Sequence, residues 1–291
     1  MWLDYSIPGE VRISIEEYSR GLIDDFLEEI TDTPEIPAAS NLFNVRNDNK
    51  RELLNETRAH DFHHAVAQLL FTGIQFRKDA QMEIVFLTTR VRKTDEDNWK
   101  KLRRLPGYLK RTIKLPLILR ADGVNVLKWR VDASYESHDN MRGHIGVNMS
   151  MLKYWCGSII SISKKQKLNT ESSTEAELIG ADNVMPQMLW TRYSLEAQGY
   201  GIDETVLYQD NVSAVLLEKN SKESSTKNIK HINVSYYLIE CQVETRDVVI
   251  EHCPTEEMLG YHFTNSLQGA LFRKFRAEIM NIPYDLDMGK M

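Results

Sequence analysis

Apolar and polar positions alternate around Val11, Ile13 and Ile15, then change to a helical spacing at Tyr18, Leu22, Phe26 and Ile30, with acidic residues on the opposite face. A period of two followed by one near 3.6 predicts a strand entering a short helix. Thr31 to Ser40 holds Pro34 and Pro37 among small polar residues, which predicts an extended connector. Phe62, Val66, Leu69 and Leu70 follow the i, i+4, i+7, i+8 pattern of one helical face. A second helix is expected over Ala80 to Arg92. A third, capped by Asp95, runs through Trp99, Leu102 and Tyr108 with Pro106 and Gly107 inside it.

After the turn signal Asp122-Gly123 the texture changes to β-rich runs at Val124 to Asp132, His144 to Met151 and Tyr154 to Ser161. A long helix is predicted from Ser172 to Ala197, ending at Gly199, with Pro186 as an internal break worth up to about 3 kcal/mol if unaccommodated. There follow a strand at Thr205 to Gln209, a helix at Val212 to Lys219, a helix near His231 to Val243, a strand at Val248 to Cys253 and a last helix from Thr255. The expected order is βββαβααβα, an α/β arrangement over about 123 to 265 behind a helical unit.

Composition narrows the class without naming a reaction. Of 291 residues, 42% are hydrophobic and 27% charged, enough for a sizeable core. No apolar run approaches the roughly 18 residues that span a bilayer, and no basic-then-apolar leader is visible. The expectation is a soluble intracellular chain, cytoplasmic or nuclear, without membrane contact. Cys156, Cys241 and Cys253 are too few and scattered for a disulfide framework or a zinc site, so they are read as reduced. The formal charge is -6, but it is segregated: residues 1–40 hold ten acidic and two basic side chains, Arg90 to Arg120 eleven basic and three acidic. A solvated helix face and a phosphate-binding surface both fit such a basic run.

Three acidic residues fall where the predicted elements would bring them together. Asp132 ends the first strand of the β-rich part, Glu177 lies in the first turns of the long helix, and Asp210 ends the fourth strand. Converging carboxylates repel unless a divalent cation neutralises them, and hard cations such as Mg2+ or Mn2+ take oxygen ligands. Two such ions roughly 3.5 to 4 Å apart would suit metal-assisted phosphodiester hydrolysis. Spacing alone is weak support, since ordinary surface carboxylates are common.

The words around these residues are more specific. Val131-Asp132-Ala133-Ser134-Tyr135, Lys164-Lys165-Gln166, Ser172-Ser173-Thr174-Glu175-Ala176-Glu177, Tyr208-Gln209-Asp210-Asn211 and Lys230-His231-Ile232, in that order, resemble the ribonuclease H domain of copia-type retrotransposon Pol polyproteins. The resemblance extends upstream through Phe62 to Tyr108, similar to the helical thumb and connection, and downstream through Leu267-Gln268-Gly269 to Arg276. It implies a ribonuclease H-like mixed five-stranded sheet flanked by helices, preceded by a small helical thumb/connection-like unit. The implied boundaries are 1–44 for a reverse transcriptase palm-end remnant and linker, 45–122 for the helical region, 123–280 for the ribonuclease H-like domain and 281–291 for a tail.

By the same resemblance Asp132, Glu177 and Asp210 are the catalytic and metal-binding carboxylates, with Mg2+ or Mn2+ as cofactor and an RNA-DNA hybrid as partner. Ser134 and Asn211 would lie near the RNA 2'-hydroxyl, and Lys100, Lys101 and Arg104 on thumb-like helices would contact phosphates. The family's fourth acid sits in a pattern like Met-Leu-x-Asp-x-Phe-Thr, and the matching position here is Tyr261. A phenol with an unperturbed pKa near 10 cannot share a metal's charge as a carboxylate does, so a two-metal site would be left incomplete. On the expected last helix Glu257 shares the face of Tyr261, and His252 ends the final strand; each is weighed as a compensating group against an ordinary surface role. His231 belongs to a matched motif, and His60, His63 and His64 read as a polar helix face.

Asp24-Asp25 superficially suggests a polymerase aspartate pair, but its flanks are helical, and the resemblance begins after the polymerase motif. No DNA synthesis is expected. An impaired hybrid-directed ribonuclease H, an inactive nucleic-acid-binding or structural remnant, and an unrelated metal-dependent nuclease remain the three readings of the sequence.

Overall fold

The computed structural model describes residues 1–46, 52–120, 125–151, 157–219, 239 and 241–283. The chain divides into two compact units: Met1–Arg120 together with the C-terminal stretch from Ser266, and Ala121–Asn265.

In the second unit, Leu127, Trp129, Val131 and Ala133 alternate along β4 (Val126–Ser134) and are at most 5% exposed, so one face of this strand is entirely core. It pairs antiparallel with β5 (Arg142–Ser150), Trp129 opposite Met149, and β5 pairs antiparallel with β6 (Ile160–Asn169). On its other edge β4 runs parallel to β7 (Glu204–Gln209), which runs parallel to β8 (Val249–His252). The order β6-β5-β4-β7-β8 is a mixed five-stranded sheet. Parallel neighbours need long crossovers. The crossover from β6 to β7 is α5 (Ser173–Ala197), capped by the Ser172 side chain, which accepts from the Glu175 amide. Ala181, Val184, Met185 and Met188 of α5 are buried in the cluster that holds Trp129 and Val131. Pro186 does not end α5, which runs through it, and it is exposed.

Two expectations are corrected here. Of the third strand expected at Tyr154 to Ser161, 154–156 lie outside the described residues, and among the described ones the strand is Ile160–Asn169, since buried Ser161 and Ser163 alternate with Ile160 and Ile162 and carry the edge strand on through polar Lys164 to Lys167. No α-helix starts at Thr255. Instead, 3-10 turns at Thr255–Glu257 and Leu259–Phe263 follow β8. Their cause is close approach: a Cβ on Gly260 would stand 2.9 Å from the Asp132 nitrogen and the Arg130 oxygen, so this segment lies with its backbone against β4. The helix α6 (Val212–Lys219) spans the predicted residues. Of the helix expected near His231 to Val243, 231–238 and 240 lie outside the described residues, and 241–244 are helical.

The first unit has a three-stranded antiparallel sheet, β1 (Trp2–Asp4), β2 (Glu10–Ser14) and β3 (Leu117–Arg120), in the order β1-β2-β3. Its helices are α1 (Glu16–Asp24), α2 (Glu56–Gln75), α3 (Gln81–Thr88), α4 (Glu96–Arg111) and α7 (Gly269–Met280). Asp95 caps α4 as expected, accepting from the Asn98 amide. Asp24 and Asp25 are exposed at the end of α1, a helix and not a hairpin. The Arg77 guanidinium donates to both Asp79 oxygens at 2.9 and 2.8 Å in the interior, Tyr108 also donates to Asp79, and Arg276 of α7 donates to the Tyr108 hydroxyl at 3.1 Å. That network, with buried Phe272, Phe275 and Ile279, ties α7 to this unit. Among the described residues no helix is long and apolar enough to cross a membrane.

Candidate metal centre

Parallel pairing sets Arg130 beside Tyr208, so two residues further along the two chains come Asp132 and Asp210, at the same end of the sheet. α5 crosses β4 closely: a Cβ on Gly180 would stand 3.3 Å from the Ala133 Cβ. This brings the second turn of α5, with Glu177, to the same place. Ligand atoms of Asp132, Glu177 and Asp210 all lie within 4.8 Å of one another, the first two buried and the third half-buried.

Each carboxylate has one oxygen held by a protein donor. The Ala133 amide donates to Glu177 Oε1 at 3.0 Å, the Thr255 hydroxyl to Asp210 Oδ2 at 2.9 Å, and the Thr264 hydroxyl to Asp132 Oδ2. Glu177 Oε2 is buried and has no hydrogen-bond partner. Burial, opposed by the Thr264 bond and aided by the charge of Asp210, pushes the Asp132 carboxyl up to about 7. Burial and then the charge of Asp132 hold Glu177 well above the usual carboxylate range. Asp132 and Glu177 so placed favour protons unless a cation replaces them, and an all-oxygen donor set with one buried orphan oxygen fits a hard divalent ion.

Tyr261 is half-buried, and its phenol is raised first by burial and then by the charges of Asp132 and Asp210, so it lies close enough to feel this group. Because Tyr261 lies in a 3-10 turn, it does not share a helical face with Glu257, which is exposed. His252 is also exposed at the end of β8, His63 and His64 lie exposed on α2, and His231 lies outside the described residues.

The expected substrate contacts divide. Ser134 follows Asp132 by two residues and donates to the His144 carbonyl at 3.4 Å. Asn211, next to Asp210, caps α6 by accepting from the Ala214 amide at 3.0 Å. Lys100, Lys101 and Arg104 lie on α4 in the other unit. Lys101 donates to the Asn44 carbonyl at 2.6 Å and pairs with Asp97 at 2.8 Å, and Arg104 donates to the Ile36 carbonyl at 2.9 Å. Nearby Arg103 pairs with Glu28 and Arg111 with Glu35. The basic run is thus largely matched to the acidic N-terminal segment of the same unit, and Lys100 is exposed.

Sequence reasoning passed over Thr255, the Ala133 amide and Thr264. The last had a signal, since it is the final residue of the pattern in which Tyr261 stands for an acid.

The mixed five-stranded sheet, with three acids gathered at the shared end of its parallel strands and on the crossing helix, has the ribonuclease H-like arrangement expected from the sequence. The chain is 27% identical over 204 residues, 70% of its length, to the retrovirus-related Pol polyprotein from transposon RE2 of Arabidopsis thaliana. It is 27% identical over 194 residues, 66% of its length, to the corresponding polyprotein from transposon TNT 1-94 of Nicotiana tabacum. The matched part spans 14% of the length of each of these relatives. No family model matches the chain. Among solved structures, LC11 ribonuclease H1 isolated from compost is similar at 16% identity and a TM-score of 0.35, covering 45% of this chain and 86% of that one.

Proposed function

We propose that the second unit is a divalent-cation-dependent ribonuclease H centre, with Asp132, Glu177 and Asp210 as ligands and the RNA strand of an RNA-DNA hybrid as substrate. The observation that carries this reading is the gathering of three carboxylates within 4.8 Å around a buried, unpartnered Glu177 oxygen. Mg2+ or Mn2+ at such a centre supplies Lewis-acid activation of water and charge neutralisation at the phosphodiester. The protein's part is to hold the ligands: the Ala133 amide, Thr255 and Thr264 each fix one carboxylate. Ser134 and Asn211, beside the acids, are assigned to the RNA strand, and exposed Lys100 to phosphate. Lys101 and Arg104 are already engaged with their own chain.

Tyr261 favours a second reading, a nucleic-acid-binding remnant without turnover, because a neutral phenol stands next to Asp132 and Asp210 where the resemblance implies a carboxylate. The test is cleavage of a labelled hybrid in Mg2+ and in Mn2+. Wild type is expected to cut hybrid in preference to duplex DNA at a low rate, and Asp132→Asn to remove that cutting while keeping the melting temperature. Undiminished cutting by Asp132→Asn would show that this centre does not carry the reaction, and no cutting by wild type in either metal would leave the remnant.

A further inference from the structure

The stretch after β8 lies on the sheet by its backbone. A Cβ on Gly146 would stand 2.2 Å from the Gly260 carbonyl oxygen and 2.9 Å from the Phe263 carbonyl carbon, contacts that only glycine permits. Its end is pinned from below. Ser163 Oγ donates to the Phe263 carbonyl at 2.9 Å and lies 2.7 Å from His144 Nε2, whose Nδ1 lies 3.0 Å from His138 Nε2. All four side-chain positions, Ser163, His144, His138 and Phe263, are buried.

Thr264 follows this anchor and is itself fully buried. Its single hydroxyl proton has two acceptors nearby, Asp132 Oδ2 and the Tyr261 carbonyl at 3.2 Å. Donation to a carboxylate is the charge-assisted and stronger choice. The Asn265 side chain in turn donates to Thr264 Oγ1 at 2.8 Å, which leaves the hydroxyl proton for Asp132. We infer that Thr264 is a positioning residue: its hydroxyl fixes Asp132 in the orientation that gathers with Glu177 and Asp210, on a segment whose own acid position is Tyr261. The inference rests on the cation centre proposed above, and it concerns a group that touches the ligand and not the metal. Partners of this kind around a metal ligand are worth roughly 10- to 100-fold in metal affinity.

Calorimetric titration of the full chain with Mn2+ tests it. Thr264→Val keeps the shape and removes the hydroxyl, and is expected to weaken binding by roughly tenfold or more. Thr264→Ser keeps the hydroxyl and is expected to bind close to wild type. Wild-type affinity in Thr264→Val, or a Ser variant as weak as the Val variant, would overturn the inference. Should Thr264→Val not fold, Thr264→Cys, a weak donor of similar size, takes its place with the same expectation.

A metal-free arm separates this inference from the reading it rests on. In EDTA, Thr264→Val (or its Cys substitute) is expected to lower the melting temperature in the native background and by less than half as much in Asp132→Ala, because its partner is gone. Equal lowering in both backgrounds would overturn the inference even if wild type binds Mn2+. Failure of wild type to bind Mn2+ would sink the cation centre, and this arm would still decide whether the hydroxyl holds Asp132.

Discussion

Glu177 gives one oxygen to the Ala133 amide and keeps the other buried without a partner, an arrangement that costs about 1–3 kcal/mol unless something binds there. Asp132, pushed up to about 7 mainly by burial, adds a pH dependence whose sign follows from the direction of its shift. A carboxyl raised in the folded state contributes stability fully present below its ordinary value of about 4 and lost as pH rises through about 7. Glu177 shifts the same way, and so does Glu218, which burial raises to about 8 and whose two oxygens have no hydrogen-bond partner. The metal-free protein is therefore expected to melt lower at pH 8.5 than at pH 5.5. Mg2+ or Mn2+ should restore melting at pH 8.5 and do little at pH 5.5, where protons hold Asp132 and Glu177. Glu218→Gln should flatten the metal-free loss while leaving the metal effect unchanged. Scanning calorimetry with and without EDTA checks this, and a metal effect equal at both pH values would refute it. Asp132, Glu177 and Asp210 were readable as a group because the residues around each form distinctive words. The Ala133 amide was not, since every residue but proline carries one and only packing aims it.

Elements were legible where local chemistry decides them. α5 begins one residue after its cap Ser172, α4 one residue after Asp95, and α6 occupies the predicted span. They were misread where contact decides them. β6 hides small serines in place of bulky apolar residues, and the stretch after β8 tightens into 3-10 turns because two glycines bring it onto the backbone of β4 and β5. The same contact makes Gly146 a lever on the centre. Gly146→Ala would drive a Cβ to 2.2 Å from a carbonyl oxygen, which a backbone can relieve only by moving the segment that carries Tyr261 and Thr264. Overpacking of this kind costs about 1–3 kcal/mol, so a drop of several degrees in melting temperature is expected together with weaker Mn2+ binding. Gly201→Ala, with nothing within 4 Å of its Cβ, should change neither. A Gly146→Ala protein with wild-type melting would show that the segment is not held as described.

Across the whole molecule, the opposed charge of residues 1–40 and 90–120 was visible in the sequence, but a basic run does not state its partner. The resemblance pointed to a duplex, whereas the fold of the first unit gives Lys101, Arg103, Arg104 and Arg111 partners in the segment from Glu28 to Asn44. Two substitutions on α4 should therefore behave differently. Arg104→Ala is expected to destabilise by about 1 kcal/mol, the scale of one hydrogen bond with its packing, and to leave hybrid affinity unchanged. Lys100→Ala is expected to leave stability unchanged and to weaken hybrid binding, lowering its salt slope by about one charge. The reverse pattern in paired melting and binding titrations would return the basic face to the substrate.

What the molecule does turns on Tyr261, the one place where the chemistry of the centre departs from the pattern it resembles. The most direct measurement is the rate of RNA-DNA hybrid cleavage in Mg2+ by Tyr261→Asp beside wild type and Asp132→Asn, with Mn2+ binding measured on each. A carboxylate at this position returns a charge and an oxygen ligand next to Asp132 and Asp210. Since about 1.4 kcal/mol is tenfold in rate, the loss of one ligand's contribution should be plainly visible when it is restored. The centre as described predicts at least a tenfold rise in Tyr261→Asp over wild type. A folded, cation-binding Tyr261→Asp protein that cuts no faster than Asp132→Asn would contradict it.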